Sequence, residues 1–356
     1  MKKTANMEYW EQRMVNLFLD GEKDALEVAK ELKSYYEKAV KEIEDEILKF
    51  YGKYQSASGL DMRTIKKQLN KEELKSFKHT LDEIIDYAKN NQFDKSYIKK
   101  MKLLNLKTRI SRLEELKTNI EFEITKLAVE EEAILSNKMI DIYTDGYYKT
   151  MYEIDTFSGA ATTFAAPNTA AIEKLVKTPI NIKNYTVGLY KTKDNLVQLL
   201  NNYIPQGIIL GYNPRKVAKI ASKALDTNYN STVRLIRTEY NYILNQAVID
   251  GYEEAQIAQY QILAALDERT CTECGELDLE LFEVGNEEIG LNYPPFHPNC
   301  RCTTIPYFEP DEFDINRTRV AKDKTGKTHE VPADLSYKDW LNSLITGKDN
   351  TITYKN

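Results

Sequence analysis

KDALEVAKELKSYYEKAVKEIEDEILKFYGKY (23–54) carries Leu26, Ala29, Leu32, Tyr36, Ala39, Ile43, Ile47 and Phe50 three or four residues apart. That period puts the apolar groups on one stripe of an α-helix, and so long a stripe must be covered by other helices. The stretch decides the fold class: mainly α, opening with a long N-terminal helical hairpin or bundle. Further along, Asn70 and Glu73 have capping-box spacing and open a helix through Ala88. A longer periodic stretch, from about Ser96 to Tyr148, aligns Leu103, Leu106, Ile110, Leu113, Leu116, Ile120, Ile124 and Leu127. No proline interrupts the first 166 residues.

A breaker-rich stretch, FSGAATTFAAPNTAA (157–171), closes this zone. Beyond it, Asn213 can cap and Pro214 suits a first helical position, which predicts a helix to about Leu225. A second helix is predicted over 231–251, ending at Gly251. QYQILAALDERT (259–270) and ELDLELFEV (276–284) read as short strands, and DLSYKDWLNSLIT (334–346) as a terminal helix. The expected plan is a helical domain (1–155), a connecting segment (156–184), a small Cys/His-clamped α+β module (185–308) and a tail (309–356).

The 356 residues are 42% hydrophobic and 29% charged, the balance of an ordinary soluble protein, with a net charge of −6 that argues against a globally basic nucleic-acid coat. The lysines near the N-terminus have no apolar run behind them, and no stretch offers about 18 apolar residues in a row, so neither a signal peptide nor a membrane partner is expected. The net value conceals an uneven distribution. Lys95, Lys99, Lys100, Lys102, Lys107, Arg109 and Arg112 form a basic stripe without an acid between them. It reads either as a solvated helix face or as a contact for packaged double-stranded DNA. Residues 251–300 instead carry eleven acids against Arg269 alone.

Cys271, Cys274, His297 and Cys300 fall in that acidic window, and the fourth cysteine, Cys302, lies two residues beyond it. The spacing is C-x2-C, then H-x2-C-x-C, which is how two knuckles present thiolate and imidazole to a tetrahedral zinc ion. Five candidates compete for four places, and an all-protein shell would make the zinc structural. Reduced cysteines packed without metal, or disulfides formed after release into an oxidising medium, remain the alternatives at this point. A DNA-reading zinc ribbon fits poorly, because the surrounding acids repel phosphate.

Catalytic patterns are scarce. TGKT (325–328) lacks the upstream glycine of a phosphate loop, and neither H-E-x-x-H nor G-x-S-x-G occurs. His79 and His329 have no evident partner. Arg237 and Glu239, in LIRTEYNYI, are expected to form a buried structural ion pair rather than a catalytic one. No enzyme activity is expected from these residues.

The motif order R-T-E (237–239), D-x-R-T-C-x-x-C (267–274), P-P-x-H-P-N-C-R-C (294–302) resembles the minor head, or head morphogenesis, proteins of tailed bacteriophages, the Mu protein F-like family. The likeness covers roughly 185–307, and VAKDKTGKTHEVPADLSYKDW (320–340) looks like a segment that often follows. One departure is Leu279, where the family commonly has glycine. The resemblance implies a low-copy structural protein of the virion, assembled in the host cytoplasm. Its implied partners are the portal protein and the procapsid, through major capsid or scaffold protein, with a possible part in DNA packaging or ejection. Domains of this kind also occur joined to toxin or transferase modules, so a nucleotide-binding enzyme is the alternative.

Overall fold

The computed structural model describes residues 7–55, 62–158, 166–176, 185–308, 318–322 and 328–332, together with Leu335 and Asp339. Among these the chain is mainly helical with a small antiparallel sheet near its C-terminal end, the expected fold class. The helices are α1 (Met7–Tyr54), α2 (Met62–Lys66), α3 (Lys71–Asn90), α4 (Lys95–Asn105), α5 (Arg112–Ser158), α6 (Thr169–Val176), α7 (Tyr185–Ile209), α8 (Pro214–Glu254) and α9 (Thr272–Leu277). The strands are β1 (Gln259–Leu263), β2 (Leu281–Glu283), β3 (Thr303–Tyr307), β4 (Thr318–Lys322) and β5 (Thr328–Pro332). No helix among the described residues is long and apolar enough to cross a membrane.

Two compact units interleave along the sequence. Unit 2 takes 29–134 and 186–233; unit 1 takes the remainder, 1–28, 135–185 and 234–356. Where the sequence plan divides the chain into successive stretches, each unit gathers separate ones. Unit 2 is a helical bundle whose core joins Tyr36, Ile43 and Ile47 of the opening stripe to Phe77, Leu81 and Ile84 of α3. The Asn70 capping box forms: its side chain accepts from Glu72 N and Glu73 N, and Glu73 Oε2 accepts from Asn70 N.

Three sequence expectations for the helices are corrected. The stretch from Ser96 to Tyr148 is not one helix, because the chain leaves α4 after Asn105 and re-enters α5 at Arg112. Leu103 and Leu106 consequently face solvent, while Ile110 is fully buried. The helices expected at 211–225 and 231–251 are one, α8, running unbroken through the polar DTNYN (226–230). Those polar side chains are used within unit 2: Asn228 accepts from Tyr36 and Tyr229 donates to Ala29 O. Gly251 does not end the helix. It sits inside α8 because a Cβ there would come within 2.9 Å of the Thr150 side chain.

Unit 2 also buries a carboxyl, Glu131, beside the Tyr36, Asn228 and Thr232 cluster. Burial pushes its pKa up to about 7, with Tyr36 and Thr232 pulling weakly the other way, and its Oε1 has no hydrogen-bond partner. An acid whose pKa is raised on folding destabilises the fold once pH climbs from the unfolded value through the folded one. Glu131→Gln should therefore stabilise the protein by up to about 3 kcal/mol at pH 8, with the gain vanishing below about pH 5. Urea midpoints at the two pH values check this, and an equal shift at both would show that Glu131 does not titrate on unfolding.

In unit 1, β1 is the central strand of the order β2-β1-β3, antiparallel to both neighbours. Tyr260 and Ile262 of β1 are fully buried, and the Tyr260 ring meets Tyr293 edge-on at 5.2 Å. Trp10 packs on Phe157 and Phe308, at 5.3 Å and 6.1 Å between ring centroids, so the first turns of α1 belong with the sheet. The strand expected over 259–270 stops at Leu263, and the one expected over 276–284 is the end of α9 followed by the short β2. The tail contributes an unanticipated hairpin, β4 with β5, whose Val331 is fully buried. The expected terminal helix at 334–346 falls almost entirely outside the described residues.

Candidate metal centre

The two knuckles meet in unit 1. The first is Cys271, the N-cap of α9, whose sulfur accepts from Cys274 N at 3.4 Å, so the C-x2-C turn aims both sulfurs one way. The second, PPFHPNCRC, leads into β3. There Asn299 takes a left-handed φ of 61°, a conformation that Asn tolerates better than most residues.

His297 Nε2 lies 3.2 Å from Cys271 Sγ and 3.1 Å from Cys274 Sγ, and Cys274 Sγ lies 3.9 Å from Cys300 Sγ. The His297 Nδ1 contact to Pro298 O, at 2.9 Å, fixes the tautomer. A carbonyl only accepts, so Nδ1 holds the proton and Nε2 turns its lone pair toward the sulfurs. Two trios of ligand atoms result, Cys271–Cys274–His297 and Cys274–Cys300–Cys302, sharing Cys274. Cys274, Cys300 and Cys302 are buried, and none of the four cysteines is in a disulfide. Hydrogen bonding from Cys274, then Cys302, pushes the Cys300 pKa down; the Cys300 contact pushes Cys274 up against an opposing pull from Cys302, and contacts with Cys274 and Cys300 push Cys302 up. A cluster with one favoured thiolate, a second thiol within tetrahedral edge length and an oriented imidazole fits a soft divalent cation such as zinc.

A second stitch joins the knuckles. Asp267 grips Arg301 through two hydrogen bonds, 2.6 and 2.7 Å, and also accepts from Arg269 N at 2.9 Å. Burial works to raise its pKa, but Arg301 and then Arg269 overcome that and hold it near 2. Both partners stand inside sequence motifs of the site, D-x-R-T-C and C-R-C. The expected Arg237–Glu239 pair is not among the ion pairs of the described residues. Residues two apart on a helix do not face each other. Arg237 Nε is buried without a hydrogen-bond partner, and burial alone raises the Glu239 pKa to about 8, where an ion pair would have lowered it. Between them, Thr238 accepts from Asn299 N at 3.0 Å and so braces the second knuckle. Asn241 and Asn245 brace it further by donating to Cys302 O.

Leu279 stands where the family resemblance leads one to expect glycine. It has φ 68°, and its backbone is fixed on both sides, N–H to Ile262 O and C=O to the Gln261 side chain. A left-handed leucine costs about 1 kcal/mol, which glycine would relieve at a comparable entropic cost. Leu279→Gly should therefore shift stability by less than about 1 kcal/mol, whereas Leu279→Val should cost about 2. Thermal melts of both variants decide it; equal losses would mean that the side chain, not the turn, matters here.

The basic stripe lies in unit 2 and is broken by the α4–α5 connection. Lys100 pairs with Glu121 at 2.5 Å, Lys107 with Glu114 at 3.4 Å, and Arg112 with Glu73 at 2.9 Å. Arg112 also stacks over Tyr54, 4.1 Å from the ring centroid, so it is a structural residue. Lys95, Lys99, Lys102 and Arg109 are exposed and have no carboxylate within ion-pair range among the described residues.

Residues 198–305 match the family described as Phage Mu protein F like protein. The chain is 28% identical over 214 residues to the NAD(+)--arginine ADP-ribosyltransferase EFV of Enterococcus faecalis, covering 56% of this chain and 42% of that one. It is 23% identical over 212 residues to Minor head protein GP7 of Bacillus phage SPP1, covering 56% of this chain and 68% of that one. It is also 30% identical over 115 residues to an uncharacterized protein of Haemophilus influenzae, covering 32% of this chain and 25% of that one. No solved structure matches the chain.

Proposed function

We propose, from the match of residues 198–305 to the Phage Mu protein F like family and the likeness to GP7, which support a phage minor head protein family, that the chain is a structural, non-enzymatic component of a tailed-phage head. It acts at low copy at the portal vertex or procapsid interior during head assembly. The observation that carries the reading is what the family-type motifs do here: Cys271, Cys274, His297, Cys300, Asp267 and Arg301 stitch two knuckles together. The experiment is co-purification with portal protein and procapsid, counting copies per particle. A few copies in wild-type heads, with aberrant heads when the gene is lost, is the expected result; normal heads without it overturn the reading.

Zinc in this reading is structural. Cys271, Cys274 and His297 supply three ligands and Cys300 the fourth, because the 3.9 Å Cys274–Cys300 separation is near the roughly 3.8 Å edge of a tetrahedron with 2.3 Å zinc–sulfur bonds. When bound, the ion would cross-link the knuckles and complete the folding of the module.

Non-specific DNA contact is assigned to Lys95, Lys99, Lys102 and Arg109. Their combined replacement by Ala should weaken double-stranded DNA binding and reduce the slope of log affinity against log salt by about 3 to 4. An unchanged slope would leave the stripe as a solvated surface.

The enzyme reading is favoured by the name of the Enterococcus relative, an arginine ADP-ribosyltransferase. The chain spans less than half of that protein, so its named activity need not lie in the shared part. Incubation with labelled NAD and an arginine-bearing acceptor separates the two readings. No transfer above background is expected, and turnover would overturn the non-enzymatic reading.

A further inference from the structure

Unit 1 contains a cavity of about 440 Å³ beside the second knuckle, within the ordinary size range of ligand pockets. One wall is apolar: Val15, Phe18 and Leu19 from the first turns of α1, and Leu244 from α8. Three arginines, Arg237, Arg269 and Arg301, stand in the remaining wall. Their states differ. Arg301 is committed to Asp267 by two short hydrogen bonds, and Arg269 leans on the same carboxylate at 3.3 Å with its side chain 66% exposed. Among the described residues Arg237 has no such partner, and its Nε–H is buried without an acceptor.

A buried N–H of a charged group without an acceptor is unfavourable, so a ligand oxygen that reached it would gain what the fold leaves unmade. We propose that this cavity binds an acidic peptide segment of a partner protein, placing one carboxylate on Arg237 with help from Arg269, and a neighbouring bulky apolar side chain against Phe18 and Leu19. Charge selects the class. After Asp267 has neutralised Arg301, and with Glu22 also in the wall, the surplus is about one positive charge, enough for a single carboxylate. A nucleic-acid strand would bring a run of phosphates past the eleven acids of residues 251–300 and be repelled. The apolar wall asks for a hydrophobic neighbour next to the charge, which an acidic-aromatic dipeptide supplies and an inorganic anion does not.

The test needs only the full chain and does not depend on the head-assembly reading. Titrate it calorimetrically with Ac-Asp-Phe-NH2, the neutral twin Ac-Asn-Phe-NH2, and an oligothymidylate. The Asp peptide is expected to bind at least about tenfold more tightly than the Asn peptide. Arg237→Gln should erase that difference, and Phe18→Ala should weaken both peptides. Because Arg237 is half-buried, Arg269→Gln, an exposed change that the fold tolerates, gives the second reading: the preference for Asp should fall about threefold. Equal affinity for the two peptides overturns the proposal. So does a preference that survives both arginine changes, absence of binding up to about 5 mM, or tighter binding of the oligonucleotide at this cavity.

Discussion

On the zinc assignment proposed above, Cys274→Ser should strip the metal from the purified chain and lower unfolding free energy by on the order of 5 kcal/mol, the scale set when a structural metal is lost rather than one contact. Cys274 is the sensitive position because its sulfur belongs to both trios and meets both His297 and Cys300. Serine keeps the volume but is a poor zinc ligand, so a simple packing role predicts a loss of only about 1–2 kcal/mol. Cys302→Ser tests the choice of ligands. If Cys300 is the fourth, this variant keeps one zinc per chain and loses only the packing share. Metal content by elemental analysis, read beside urea midpoints with and without chelator, distinguishes the outcomes. Wild-type protein that carries no metal and ignores chelator would sink the zinc assignment and leave a packed cluster of thiols.

Much of the helical architecture was legible in the sequence because it rests on local, periodic signals. The Asn70–Glu73 box and the 23–54 stripe need only nearest neighbours along the chain to be recognised. What escaped were features decided by distant partners. Gly251 has the local look of a helix stop, but the Thr150 side chain packed against it accounts for the glycine while α8 runs on to Glu254. DTNYN looks like a break until Tyr36 and Ala29 O appear as partners for its side chains. The same limit governed the site. Cysteine spacing announced the cluster, since a shared ion constrains spacing directly. An Asp–Arg pair thirty-four positions apart leaves no periodic trace. Arg237 and Glu239 are two apart on α8, a spacing that does not turn two helical side chains toward each other.

The pair that does form carries the second large effect. Asp267→Ala should cost about 3 kcal/mol, because it leaves the Arg301 guanidinium half-buried, with the Arg269 backbone N–H also deprived of its acceptor. Arg301→Ala should cost a similar amount. The double variant should lose clearly less than the sum, with a coupling of about 2 kcal/mol, because removing both partners removes the uncompensated charge. The pH dependence has a definite sign. A carboxyl held near pH 2 in the fold, against about 4 when unfolded, adds stability that is complete above pH 4. That contribution is lost as pH falls toward 2 and amounts to about 2 kcal/mol. Acid unfolding followed by fluorescence should therefore be flatter between pH 4 and 2 in Asp267→Asn than in the wild type. If the two profiles are parallel while Asp267→Ala is still destabilising, the residue serves the loop through its backbone contacts and the charge pair contributes nothing. If the double variant loses the full sum, the two side chains act independently and the knuckles are held by the cysteine and histidine cluster alone.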